Sequence, residues 1–191
     1  MKRVLLIRHG STAGNLQKRY VGRTDEPLCE QGIREIRQLQ EAGLTADLVF
    51  VSPALRTVQS AEMLFAGSVL QKVPELWETD FGIFEGKNAQ ELSACSAYRS
   101  WVDSGCMDPV PGGESVDVFR LRCSSVFRTI MEAVPDGCCA AFVIHGGCIM
   151  AILEAYAQPK RDFYSGHIKN GEYVQCDYRN GSLTITGGVL C

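Results

Sequence analysis

Apolar positions along the chain alternate between short unbroken runs and stretches of helical spacing. Val4, Leu5, Leu6 and Ile7 form a run of strand length. Ile33, Ile36 and Leu39, closed by Gly43, follow helical spacing and predict a helix over 30–43. Leu48, Val49, Phe50 and Val51 predict a second strand. Ser52-Pro53 then predicts a helix start, with the proline in the first turn, where its missing N–H costs nothing. Leu55, Val58, Ala61 and Phe65 supply the inner face of that helix. Positions 69–76 read as a third strand, and Pro74 within it suits an edge or an early strand end.

The next stretch, 86–110, carries weaker helical patterns at 89–92 and 98–102, and 109–113 is a Pro/Gly loop. Ser115 is placed to cap a following helix, with Asp117 in its first turn. Val116, Phe119, Cys123, Val126, Phe127, Ile130 and Val134 give that helix a long apolar stripe. The all-apolar run 138–144 predicts a strand buried on both faces, followed by a helix over 147–156. Two final strands, 172–178 and 182–186, flank Asn180-Gly181, a hairpin signal. Strands alternating with helices predict an α/β fold: a three-layer α/β/α sandwich with a mostly parallel central sheet. With no linker, repeat or low-complexity run, one domain is expected to span 1–191.

Composition narrows the function. The formal net charge is −3, which argues against a nucleic-acid partner, since that needs a basic face. It leaves room for a small anionic substrate, because a few arginines can dominate one cleft. The apolar run after Met1-Lys2-Arg3 is too short for a signal peptide. No run approaches the roughly 18 apolar residues of a membrane helix. A cytoplasmic protein with no membrane partner is expected. The nine cysteines are odd in number and include no C-x-x-C pair, so neither a disulfide framework nor a zinc site is expected. Most read as buried thiols. Cys191 has no prenylation motif around it. No feature specifies an oligomeric state.

Open α/β sheets bind ligands beyond the carboxyl ends of their strands. The first strand is followed by Arg8-His9-Gly10, the second by Ser52-Pro53 and Arg56, the third by Glu78, and the 138–144 strand by His145-Gly146-Gly147. Two of the three histidines thus directly follow apolar strands and precede glycines. One histidine so placed is usually a packing residue; two, with arginines beside them, point to chemistry. Taken alone, Arg56 reads as a solvated surface residue and Glu78 as an exposed carboxylate. Together these groups suit a phosphoryl group. Arginine forks bind phosphate oxygens bidentately. Histidine can attack phosphorus and form a covalent intermediate, and a carboxylic acid can protonate the leaving oxygen. The chain has no P-loop, dinucleotide fingerprint, serine elbow or H-E-x-x-H motif, and the reading requires no metal and no cofactor.

Arg8-His9-Gly10-Ser11-Thr12 with Asn15 resembles the R-H-G-x-T-x-x-N signature of the histidine phosphatase superfamily, the phosphoglycerate-mutase-like clan. The segment Ser52-Pro53-Ala54-Leu55-Arg56-Thr57 resembles its S-P-L-x-R-A motif. Leu76 to Gly82, with Glu85-Gly86, resembles its L-x-E-x-x-F-G-x-x-E-G segment, and Val143-Ile144-His145-Gly146-Gly147 its V-x-H-G-G motif. Four motifs in order cover the chain from 8 to 147. The resemblance implies that His9 becomes phosphohistidine and that Glu78 is the acid and later the base. Arg8, Arg56 and His145 would form the phosphate pocket, with Asn15, Gly22 and Gly146 among the positions that bind a small phosphorylated substrate.

The short length favours a phosphatase of the compact branch over a mutase, and Pro111-Gly112-Gly113-Glu114-Ser115 resembles a stretch of α-ribazole phosphatases and related broad phosphatases. The alternatives are a phosphoglycerate-type mutase and a non-catalytic phospho-ligand-binding module. Three positions depart from, or compete with, the family pattern. Cys29 stands where a Ser or Thr helix cap is usual, at a cost of about 1 kcal/mol. Ser11 stands where glutamate is common. Glu85 competes with Glu78 for the acid's role, although a structural turn residue is the plainer reading. His167 reads as a surface loop residue, with substrate contact as the second reading.

Overall fold

The computed structural model describes residues 1–190; Cys191 lies outside the described residues. The apolar run at 4–7 lies in strand β1 (Lys2–Arg8). There follow α1 (Ala13–Leu16), α2 (Glu30–Gln40), β2 (Leu48–Val51), α3 (Leu55–Leu64), β3 (Leu70–Lys72) and α4 (Ser96–Asp103). The chain continues through α5 (Val116–Ala133), β4 (Cys139–Ile144), α6 (Gly146–Tyr156), β5 (Ala157–Gln158), β6 (Tyr173–Arg179) and β7 (Ser182–Gly188).

The strands form one seven-stranded sheet in the order β3-β2-β4-β1-β6-β7-β5. Pairing is parallel from β3 through β1, and antiparallel where β6 joins β1 and β7. Strand periodicity divides the core between two faces. Val4, Leu6, Phe142 and Ile144 pack with Phe119, Phe127 and Ile149 of α5 and α6. Leu5, Ile7, Ala141 and Val143 face Leu39 of α2 and Ala61 of α3. The helices thus lie on both sides of the sheet, and the expected three layers are present. All six residues of β4 are buried, as its unbroken apolar run predicts. A third, smaller cluster of Phe84, Leu92, Tyr98, Trp101 and Val110, with Tyr20 and Phe81 against it, sits apart from the sheet.

Several boundaries differ from the sequence pattern. The helix expected over 30–43 ends at Gln40, and Gly43 completes the turn at φ +63°. Cys29 is its N-cap and makes no capping hydrogen bond, whereas Ser115 accepts one from the Val118 amide. Pro53 precedes the Ala54 N-cap of α3 and so lies outside the first turn, its neighbour Ser52 still in the strand-end loop. The strand expected over 69–76 is only Leu70–Lys72, and Pro74–Leu76 form a 3-10 turn. Proline's fixed φ and absent N–H end the ladder and open the turn. Of the patterns in 86–110, 98–102 falls inside α4 but 89–92 forms only turns. Four of the eight described cysteines are fully buried and four only partly, fewer than the sequence pattern suggests, and all eight are free thiols. Among the described residues no helix is long and apolar enough to cross a membrane.

Candidate active site

β1 and β4 pair in parallel with Arg8 opposite Ile144, and the His9 amide donates to the Ile144 carbonyl at 3.1 Å. His9 and His145 therefore leave neighbouring strands in step. Their rings meet edge-on with centroids 5.1 Å apart, and both are buried.

Each ring is held by one nitrogen. His9 Nδ1 lies 2.7 Å from the Gly10 carbonyl. A carbonyl only accepts, so Nδ1 carries the proton and Nε2 keeps its lone pair. Asn170 braces the same turn, donating to the His9 carbonyl at 3.0 Å and to Asn15 Oδ1 at 3.3 Å. His145 Nε2 lies 2.8 Å from Ser52 Oγ, while its buried Nδ1 has no partner. With the Ser52 hydroxyl donating, the ring proton stands on Nδ1. Trp77 lies beside this ring, its plane within 13° of parallel. Burial, then the charge of Arg56, followed by that of Arg8, hold the His9 imidazole well below its ordinary value. Burial and Arg56 likewise lead for His145, so both rings are neutral at pH 7.

The guanidiniums are fixed by backbone carbonyls. Arg8 Nη1 donates to Ile168 at 2.7 Å, and Arg56 donates to Thr24 at 2.8 Å and to Gly22 at 2.9 Å. Arg56 is fully buried, so it is no surface residue. The Nε of each arginine is buried without a partner. Burial lowers both arginines' affinity for the proton, and the Glu78 carboxylate is the leading opposing influence on each. Three buried N–H donors, Arg8 Nε, Arg56 Nε and His145 Nδ1, are thus unmatched near His9. An anion with several acceptor oxygens would satisfy all three.

Glu78 follows the Pro74–Leu76 turn and is partly buried. Its Oε2 accepts from the Gly147 amide at 3.0 Å and its Oε1 from Thr79 at 2.9 Å. Glycine at 147 leaves room for the acid: a Cβ there would stand 3.1 Å from the Glu78 carboxyl carbon and 2.9 Å from the Phe119 ring, and would displace both side chains. Gly146 lies against the Arg8 guanidinium, 3.2 Å from where its own Cβ would be. Glu85 has different work. Its carboxylate accepts from the amides of Gly22, Arg23, Thr24 and Phe81 and from the Thr24 hydroxyl. Since the Gly22 carbonyl receives Arg56, Glu85 holds the loop that holds the arginine.

The structure gathers Arg8, His9, Arg56, Glu78, His145 and Gly146 at one rim. Gly22 joins them through its backbone, and Asn15 through Asn170. The Asn15 side chain also closes a capping box with Thr12. His167 is exposed, but its Nε2 lies 3.4 Å from Arg8 Nη1, at the edge of the same site. Sequence reasoning passed over Ser52 and Asn170 as functional positions. Ser52 stands at a strand end and could have been found there; Asn170 carries no local signal. Among the described residues no group of three or more His, Cys, Asp or Glu side chains is arranged to hold a metal ion.

Comparison with known proteins places this geometry in context. The model of the histidine phosphatase superfamily (branch 1) matches residues 4–187. A Proteus mirabilis protein named "Probable phosphoglycerate mutase GpmB" is 28% identical over 100% of this chain and 91% of its own length. The crystal structure of a phosphoglycerate mutase from Thermus thermophilus is similar at TM-score 0.75 and 29% identity, covering 98% of both chains. The α-ribazole phosphatase from Shigella flexneri superposes at TM-score 0.86, covering 96% of this chain and 94% of its own, and at 23% identity it speaks for the fold alone.

Proposed function

Because this chain belongs to the histidine phosphatase superfamily, we propose that it is a phosphomonoesterase that hydrolyses a small phosphorylated metabolite through phosphohistidine at His9. The observation that carries this reading is the set of three unmatched buried donors beside a histidine whose Nε2 lone pair is free. A phosphoryl group supplies the missing acceptors, and the neutral ring supplies the nucleophile.

In the first step His9 Nε2 attacks phosphorus, and the bond to the ester oxygen breaks. Glu78, as the carboxylic acid, gives its proton to that oxygen. Arg8, Arg56 and the Nδ1–H of His145 hold the non-bridging oxygens, whose charge grows in the transition state. In the second step Glu78, now carboxylate, takes a proton from water as the water oxygen attacks phosphorus. The P–N bond breaks, the electron pair returns to His9 Nε2, and inorganic phosphate leaves. Every charge is met by a side chain of this chain, so the reading assigns no role to a metal or cofactor.

The names of the relatives favour a second reading, transfer of the phosphoryl group to another phosphoglycerate instead of water. Rapid quench with a radiolabelled phosphomonoester tests both. An acid-labile, base-stable label that is lost in His9→Ala and decays to inorganic phosphate supports the phosphatase. Label that reaches monophosphoglycerate from bisphosphoglycerate faster than it reaches water supports the mutase. Absence of any label with phosphate donors leaves a phospho-ligand-binding module.

A further inference from the structure

A cavity of about 410 Å³ opens directly beside Arg8, Glu78 and Gly147, a volume suited to one small molecule. Its far wall is built from Phe81, Trp101, Phe119, Met150, Phe163 and Tyr164. These come from three separate parts of the chain: the small cluster around Trp101, the face of α5 and α6, and the 3-10 turn Phe163–Gly166. The Tyr164 hydroxyl donates to the Gly105 carbonyl at 3.3 Å and ties the last part to the first.

The charges on this wall matter as much as its rings. Its charged or basic side chains are Arg8, Glu78 and His167. Arg8 belongs to the phosphoryl group, and Glu78, which gives its proton to the ester oxygen, offers a second anion no positive charge. Burial and Arg8 push His167 below its ordinary value, which leaves it neutral at pH 7. Two more guanidiniums lie over wall rings: Arg120 stands 4.4 Å from the Phe163 ring centre and 3.2 Å from Glu154, and Arg122 stands 4.9 Å from the Phe119 ring centre and is bound by Glu114 at 2.7 Å. Arg23 lies over the outer Trp77 ring, off the cavity wall.

Resting on the phosphomonoesterase reading, we infer that the substrate is the phosphate ester of an uncharged, ring-sized apolar alcohol, and that esters bearing a second anion, such as phosphoglycerates, are rejected. An apolar ring seated here leaves water for carbon contacts on several sides. A carboxylate in the same place finds no free cation on the wall and gives up its water for apolar neighbours.

Three primary alkyl esters test this without differences in leaving-group chemistry: 2-phenylethyl phosphate, glycerol phosphate and 3-phosphoglycerate. The phenylethyl ester should show a kcat/KM about 10–100-fold above the glycerol ester, the ratio expected for burying one ring, with 3-phosphoglycerate lowest. Binding of the inert 2-phenylethylphosphonate and 3-phosphonopropanoate, measured by calorimetry, gives the same ranking independently of turnover. Tyr164→Ser alters an exposed position and should weaken the phenyl ligand several-fold while leaving the carboxylate ligand unchanged. Met150→Lys should improve the carboxylate ligand. Turnover with equal or inverted ranking overturns the inference while the phosphatase stands. Selective binding of 2-phenylethylphosphonate without turnover of any ester upholds the pocket and overturns the phosphatase.

Discussion

Removing the Ser52 hydroxyl should cripple the site without touching a group that contacts phosphorus. In Ser52→Ala the buried Nε2 of His145 loses its only partner, an Oγ at 2.8 Å. Leaving a buried acceptor unmatched costs about 1–3 kcal/mol. The backbone is not expected to follow the side chain, because Thr57 Oγ1 donates to the Ser52 carbonyl at 2.7 Å and holds it in place. Trp77 keeps the plane of the ring. The cost therefore falls on the tautomer. Without the Ser52 hydroxyl, the preference that fixed the proton on Nδ1 is lost, and the rings that carry it on Nε2 present an Nδ1 lone pair to the phosphoryl oxygens. At 1.4 kcal/mol per decade, the same 1–3 kcal/mol corresponds to a loss of about 5–150-fold in the rate of His9 phosphorylation. Single-turnover quench measures that rate, and ¹⁵N spectra of the labelled imidazole report the tautomer. A rate within twofold of the unaltered enzyme, with the proton displaced to Nε2, would refute the role given to Nδ1–H.

The acid pair is separated by leaving group. Glu78→Gln should slow an alkyl phosphate far more than p-nitrophenyl phosphate in single-turnover phosphorylation, whereas Glu85→Gln, which loosens the loop under Arg56, should slow both alike. Stability should fall in acid. Both buried histidines are held below their ordinary 6.5, so beneath that pH the unfolded chain binds protons that the native one refuses. Stability is then complete above about pH 6.5 and drops by about 1.4 kcal/mol per pH unit per histidine as the pH is lowered. Denaturant midpoints at pH 7.5, 6 and 5 measure the slope, and His9→Asn should lower it by one histidine's share. Phosphomonoesterase activity should survive EDTA; complete loss restored by one particular divalent metal would defeat the covalent-histidine reading.

Periodicity carried most of the architecture. The runs at 4–7, 48–51 and 138–144 announce β1, β2 and β4 because strands buried on both faces have no polar positions to blur them. The stripe after Ser115 announces α5 and its cap for a similar reason. The strand expected over 69–76 shrank to three residues because a proline's local geometry outweighed apolar content. The motif residues at the strand ends were legible as a group, since a parallel sheet delivers its carboxyl ends to one rim. Arg56 illustrates what one-dimensional reasoning cannot value: at the start of a helix it looks like a solvated cation, yet it is wholly buried because the 21–24 loop folds over it. Asn170 arrives from far along the chain through a loop without a periodic signal, so only the folded molecule brings it to His9.

The shared register of β1 and β4 also decides where this enzyme can be altered by insertion and deletion. The two histidines meet because their strands run side by side, in step, to the same last rung, Arg8 against Ile144. Removing or adding one residue inside either strand would shift one ring along the sheet by about 3.3 Å and turn its side chain to the opposite face. No rotamer change recovers such a move. The turn at Asn180-Gly181 holds no such alignment, so length changes there should be tolerated. A library of single-codon deletions should therefore divide sharply. The two central strands behave as a ruler that admits no error, and loops away from the rim absorb variation in length.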